Sequence, residues 1–144
     1  MKNQVTTIEQ SKRLIERGVP AEKASMVWFP VAEYTGQRFG TKLTGEYDLS
    51  PKNTVAQKYL CEVFNAFTVA DLQGKVLPNV IQDAHNTYEL TLKAVVGGGW
   101  RFCYTPVLTQ LEADNIGEKM GDNLIELLCN RIEWIVSNGY ELNL

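Results

Sequence analysis

His85 is the only histidine in the chain, and Cys61, Cys103 and Cys129 are its only thiols. Together they are the one combination suited to nucleophilic chemistry. A thiolate needs a base to take its proton, and usually a third group to orient that base. His85 sits in a polar turn, Asp83-Ala84-His85-Asn86. Cys129 falls on the apolar arc of a helical segment and Cys61 in another apolar-rich helical stretch, where a thiol behaves as a small hydrophobe. Cys103 alternates with aromatic residues beside Arg101, on the less hydrophobic face of a strand. It is therefore the thiol to pair with His85 if any acts, and the pair needs hydrogen-bonding reach, directly or through one water. No catalytic residue follows from these types and spacings.

One histidine and scattered cysteines offer no ligand pair at a usable spacing, so neither a metal site nor a cofactor is assigned. Glu126 and Glu133 share a helix face, as do Glu9 and Glu16. Nothing apolar surrounds either pair to raise a pKa, so both read as solvated surface. Gly97-Gly98-Gly99 runs into a strand, whereas a phosphate loop hands its anion to a helix N-terminus. Gly36 to Lys42 holds glycine, lysine and threonine in the wrong order. Both are turn chemistry.

Two surfaces remain. Lys12, Arg13, Arg17 and Lys23 decorate a helix, glycine turn and short helix with the outline of a helix-turn-helix, which makes nucleic acid the alternative partner. The second helix opens Pro-Ala-Glu-Lys and offers few side chains suited to base edges, so a structural helical cap is favoured over it. The other surface is apolar. Leu127 and Trp134, seven residues apart on the last helix, lie off its main stripe. Either the helix is sandwiched and buries both sides, or these two form a contact surface for a second copy of the chain or another protein.

The elements that carry these residues read as follows. Thr6 or Thr7, with Glu9 or Gln10, caps a first helix that ends at Gly18. Pro20 opens a second, Ala21 to about Trp28. A short strand is expected at Phe39–Leu43. Ser50-Pro51 starts a helix to about Ala66, and Thr68 caps a shorter one, Val69–Val76, stopped by Pro78. Tyr88–Val95 and Trp100–Thr105 alternate in phase across the glycine turn and form an antiparallel hairpin with one aromatic and aliphatic face. The last helix runs from Asp122 to Asn138, with Gly139 as its stop.

Three stretches taken in order, TTIEQSKRLIERGVPAEKASM, FTVADLQGKVLPNVI ahead of the YELTLKAV–WRFCYT hairpin, and NLIELLCNRIEWIVSNGYEL, resemble a group of small uncharacterised proteins from gut Bacteroidetes and their prophages or mobile elements. Phe29 to Asp48 and Val107 to Gly121 do not contribute. The shared motifs are structural, and the group carries no assigned activity, so the resemblance implies a genomic setting and no reaction.

Composition sets the outer limits. The chain has 144 residues, 44% of them hydrophobic and 22% charged, which fits one globular domain, residues 1–144, with a real core. A net charge of −3 argues against broad phosphate binding. Met1 to Gln10 is polar, without the apolar run of a secretion signal. Leu124–Val136 is broken by Glu126, Asn130, Arg131 and Glu133 and cannot span a bilayer. With an odd number of unpaired-looking thiols, this reads as a cytoplasmic protein without a membrane partner. The expected fold is α+β: a small antiparallel sheet of about three strands, with helices packed mainly on one face. The expected function is a non-enzymatic accessory or protein-interaction protein, encoded by a prophage or mobile element.

Overall fold

The computed structural model describes residues 4–34, 41–52 and 63–143. Helix α1, Ile8–Glu16, opens with the expected capping box. The Thr7 side chain accepts from the Gln10 backbone N–H at 3.1 Å, and the Gln10 side chain accepts from the Thr7 N–H at 2.9 Å. Two of the helix's orphan donors are thereby satisfied. Gly18, at φ 103°, ends it. The expected second helix does not form: Ala21–Lys23 is a single 3-10 turn, and strand β1 begins at Met26. The reason lies in Val27, Trp28, Phe29 and Val31, a β-branched and aromatic run that suits a pleated surface better than a helix.

Strand β1, Met26–Tyr34, is the middle of an antiparallel sheet with β2, Thr41–Pro51, and β3, Phe64–Ala66, in the order β2-β1-β3. Pro30 is tolerated because it borders a register shift in the β1–β2 pairing, and β3 reaches only as far as Trp28. Proline within a sheet is confined to such bulges and edges. The expected strand at Phe39–Leu43 overlaps β2 at Thr41–Leu43, while Phe39 and Gly40 lie outside the described residues. The helix expected from Pro51 to Ala66 starts one residue late, since Pro51 closes β2 and Lys52 is already helical, and its far end is contradicted, since Phe64–Ala66 is β3. Residues 53–62, Cys61 included, lie outside the described residues.

Thr68 and Asp71 form a second capping box and start α2, Val69–Asp71, which runs on into a π-helical turn, Leu72–Val76. The second sheet follows: β4, Val80–Gln82; β5, Thr87–Ala94; β6, Trp100–Pro106; and β7, Ile116–Gly121, all antiparallel neighbours in that order. The expected hairpin is present and in phase. Leu90 faces Tyr104 and Leu92 faces Phe102, so the aromatic and aliphatic residues share one side. Helix α3, Leu124–Ser137, is capped by Asn123, whose side chain accepts from the Glu126 N–H at 3.1 Å. The cap thus stands one residue later than the expected Asp122.

The fold therefore differs from the expected single sheet of about three strands with helices on one face. Among the described residues it has two antiparallel sheets, of three and four strands, with helices α1, α2 and α3. The additional strands are β1, β3, β4 and β7. One hydrophobic cluster joins α1, α2, the second sheet and α3 through Leu14, Phe67, Leu72, Phe102, Tyr104 and Ile132. Two buried polar groups tie the N-terminal segments to it. The Thr6 hydroxyl accepts from the Phe67 N–H at 2.9 Å, and the Thr6 carbonyl accepts from Trp28 Nε1 at 2.8 Å. Asp71 accepts from the Ser25 backbone and hydroxyl, the Thr68 N–H and Lys75. Among the described residues no helix is long and apolar enough to cross a membrane.

Candidate interaction surface

Of the two residues singled out for contact, Leu127 is buried and Trp134 is partly buried against the core. Leu127 is 2% exposed and belongs to the core. Trp134 stacks on Tyr104 at 6.4 Å, meets Tyr140 at 5.7 Å and has the Arg131 guanidinium over it at 5.6 Å. Its ring lies directly against Gly117 of β7, where an added Cβ would stand 2.8 Å away. Leu127 is thus buried as the sandwiched-helix reading expects, while Trp134 keeps part of its surface exposed. The second layer over Leu127 and Trp134 is the β7 segment, Ile116–Gly121, a strand absent from the elements expected from sequence.

The basic residues do not assemble on a helical pair. Lys12 sits over the Phe64 ring at 4.7 Å, and Arg13 is ion-paired to Glu133 of α3 at 2.9 Å. Arg17 is the C-cap of α1 and Lys23 is half-buried in the 3-10 turn. With no second helix, nothing here can enter a major groove as a helix-turn-helix does.

Cys103 and His85 are also kept apart. Cys103 pairs with Thr91, four residues along β5 from Thr87, while His85 lies in the turn before that strand. At the usual strand rise of about 3.3 Å per residue this separates them by more than about 13 Å. Cys103 is 2% exposed, with Thr105 Oγ1 at 3.8 Å and Asn115 Nδ2 at 3.6 Å from its sulfur. The second described thiol, Cys129, is pushed up to about 12 by burial, reinforced by Glu133 and Glu126, with Arg13 opposing. It stays protonated and unreactive near neutral pH.

What the surface does present is the connection from β6 to β7, residues 107–115. Val107 continues the ladder through its N–H to the Thr87 carbonyl at 2.9 Å. The Gln110 N–H then closes on the Pro106 carbonyl at 3.0 Å, with Gln110 itself held at φ 52°, the left-handed region rare for a residue with a side chain. A 3-10 turn, Glu112–Asp114, brings the chain back, with the Asp114 N–H on the Leu111 carbonyl at 3.0 Å. The loop is hydrogen-bonded to itself, yet Leu108 is 87% exposed and Leu111 58%. Between them and β7 stand Glu112 and Asp114, both exposed. Arg101, at the foot of the loop, holds Glu118 at 3.2 Å and Glu112 at 3.7 Å. The segment has neither a helical nor a strand period, so periodicity does not single it out in the sequence. The available signal is that of leucines in a stretch with no periodic partner to bury them.

A second concavity is an open cleft of about 730 Å³ beside the start of α3, lined by Gln4, Val69, Trp100, Asp122, Asn123 and Leu124. Asp122 is the single ionisable group in that lining, so these residues supply no acid–base pair. Among the described residues no three His, Cys, Asp or Glu side chains group as a metal site would require. No protein-family model, curated protein or solved structure matches the chain.

Proposed function

We propose that this chain is a non-enzymatic accessory protein, working in the cytoplasm by protein contact, and that the contact surface is the loop of residues 107–115. The observation that carries this reading is the exposure of Leu108 and Leu111 on a loop that is otherwise ordered. Isolated exposed apolar residues are ordinary, but two large ones within four positions of a self-bonded turn are held out at a cost in solvation. Backbone in the left-handed region at Gln110 adds to that cost, and such conformations persist where the surrounding structure enforces them. A small accessory protein of a prophage or mobile element, as the sequence resemblance implies, fits this mode of action.

The test is site-specific photocrosslinking in the cell of origin. A benzophenone side chain placed at position 108 should give a discrete crosslinked species, and the same probe at Lys93, on the exposed end of β5, should not. Equal labelling at both positions, or none at 108, refutes the reading.

A further inference from the structure

We infer that the partner presents an apolar pocket rimmed by lysine or arginine, and that it is not a second copy of this chain; the inference rests on the loop being the contact surface. Leu108 and Leu111 supply the apolar anchors. The charged residues of the loop itself have one sign. Residues 107–115 contain no lysine or arginine, while Glu112 and Asp114 stand on the loop and Glu118 on the neighbouring strand. Arg101, at its foot with Lys93 as its partner across the ladder, is engaged by Glu118 through two hydrogen bonds at 3.2 Å, and the Glu112 side chain remains 81% exposed. Two carboxylates and no cation within the loop itself leave it acidic.

That sign decides the occupant. Complementary charge around an apolar centre speeds encounter and rejects wrong partners. A two-fold contact through this loop would face Glu112 and Asp114 with their own copies, and like charges brought together in an interface are penalised. Nucleic acid is opposed for the same reason, since its phosphates would meet the carboxylates. A basic, apolar-centred protein surface satisfies both halves of the loop at once. Because the backbone is already closed by its own hydrogen bonds, little ordering cost is added on binding.

A displayed library of random peptides, selected on the full-length chain, tests this, because such selections converge on surfaces with binding hot spots. The selected peptides should combine apolar residues with lysine or arginine. Leu108→Asp should weaken them by at least about tenfold, and Glu112→Gln with Asp114→Asn should weaken them while flattening their salt dependence. Peptides that require Leu108 but are neutral or acidic, and bind equally at low and high salt, would overturn the basic-partner inference and leave the loop as the contact surface. Peptides indifferent to Leu108→Asp, or no selection at all, would overturn both. Light scattering supplies the remaining arm: a dimer that Leu108→Asp dissolves would show the occupant to be a second copy. Thermal melting of each variant, unchanged from the parent, confirms that these surface substitutions leave the fold intact.

Discussion

Replacing Gly117 by alanine should be among the most damaging single-methyl additions in this protein. Gly117 lies in β7 at φ 64°, and its inner face is covered by Trp134. An added Cβ would stand 2.8 Å from two atoms of the indole and 3.1 Å from a third. The ring has little room to retreat, because Tyr104, Tyr140 and the Arg131 guanidinium hold its other sides. Two costs add. Left-handed backbone disfavours a residue with a Cβ by about 1–2 kcal/mol, and forcing a methyl into packed surroundings costs about 1–3 kcal/mol. The stiffer unfolded chain returns somewhat under about 1 kcal/mol. The net expectation is a loss of about 2–4 kcal/mol in urea unfolding, seen as a lower midpoint at unchanged slope.

The control is Gly139→Ala. Gly139 also has positive φ, at 79°, but an added Cβ there meets nothing within 4 Å. It should lose only the backbone share, about 1 kcal/mol. A cycle with Trp134→Phe isolates the contact: the smaller ring should tolerate the added methyl better, giving a favourable coupling of about 1 kcal/mol or more. If Gly117→Ala costs no more than Gly139→Ala and shows no coupling to position 134, Trp134 is not seated on β7. The placement of β7 as its inner neighbour then falls.

Asp71→Asn should cost about 2 kcal/mol at neutral pH and flatten the acid limb of stability. Burial alone would raise the Asp71 carboxyl, but hydrogen bonds from the Thr68 backbone, Lys75 and Ser25 outweigh it and hold the group down at about 2 against an ordinary value of 3.8. A depressed carboxyl stabilises the fold above its unfolded pKa and loses that contribution as pH falls, so in denaturation titrations the parent should weaken between about pH 4 and pH 2 and the variant should weaken less, Asp83 being a second carboxyl held low. Leu127→Ala should lose about 3 kcal/mol by urea unfolding, as expected for a core leucine. Thr6→Val leaves the Phe67 N–H without its side-chain acceptor and should cost about 1–3 kcal/mol by the same measurement. Leu108→Ser should leave thermal stability within about 0.5 kcal/mol of the parent.

Where local rules suffice, the sequence was legible. The capping boxes at Thr7 and Thr68, the glycine stops at Gly18 and Gly139, and the in-phase alternation of Tyr88–Ala94 with Trp100–Tyr104 depend on neighbours a few residues apart, and all are present. The failures share a cause. Strand β1 carries Pro30 at a register shift, β2 carries Gly45, and β7 reads Ile-Gly-Glu-Lys-Met-Gly with charges where a core strand would alternate. Edge strands carry charges, and strand irregularities carry proline and glycine, for reasons of pairing that no single segment reveals. Cys103 shows the converse: alternation places it on the polar face, yet Arg101, Thr105 and Asn115 close over it, a tertiary outcome.

The same cause bears on Leu127 and Trp134. A helix whose apolar arc exceeds one stripe has either a second neighbour inside the protein or a partner outside it, and composition alone treats the two alike. Strand β7 supplies the inner neighbour, covering Leu127 and one side of Trp134. It also explains why Leu108 and Leu111 stay out. Once β7 is drawn in beneath α3, and its outer face is tied to Arg101 through Glu118, the connection from β6 must swing away from the core, and the 3-10 turn Glu112–Asp114 fixes it there. Packing Trp134 and exposing Leu108 are two consequences of one strand placement, so a result that unseated Trp134 from β7 would also remove the reason for the loop to stand clear.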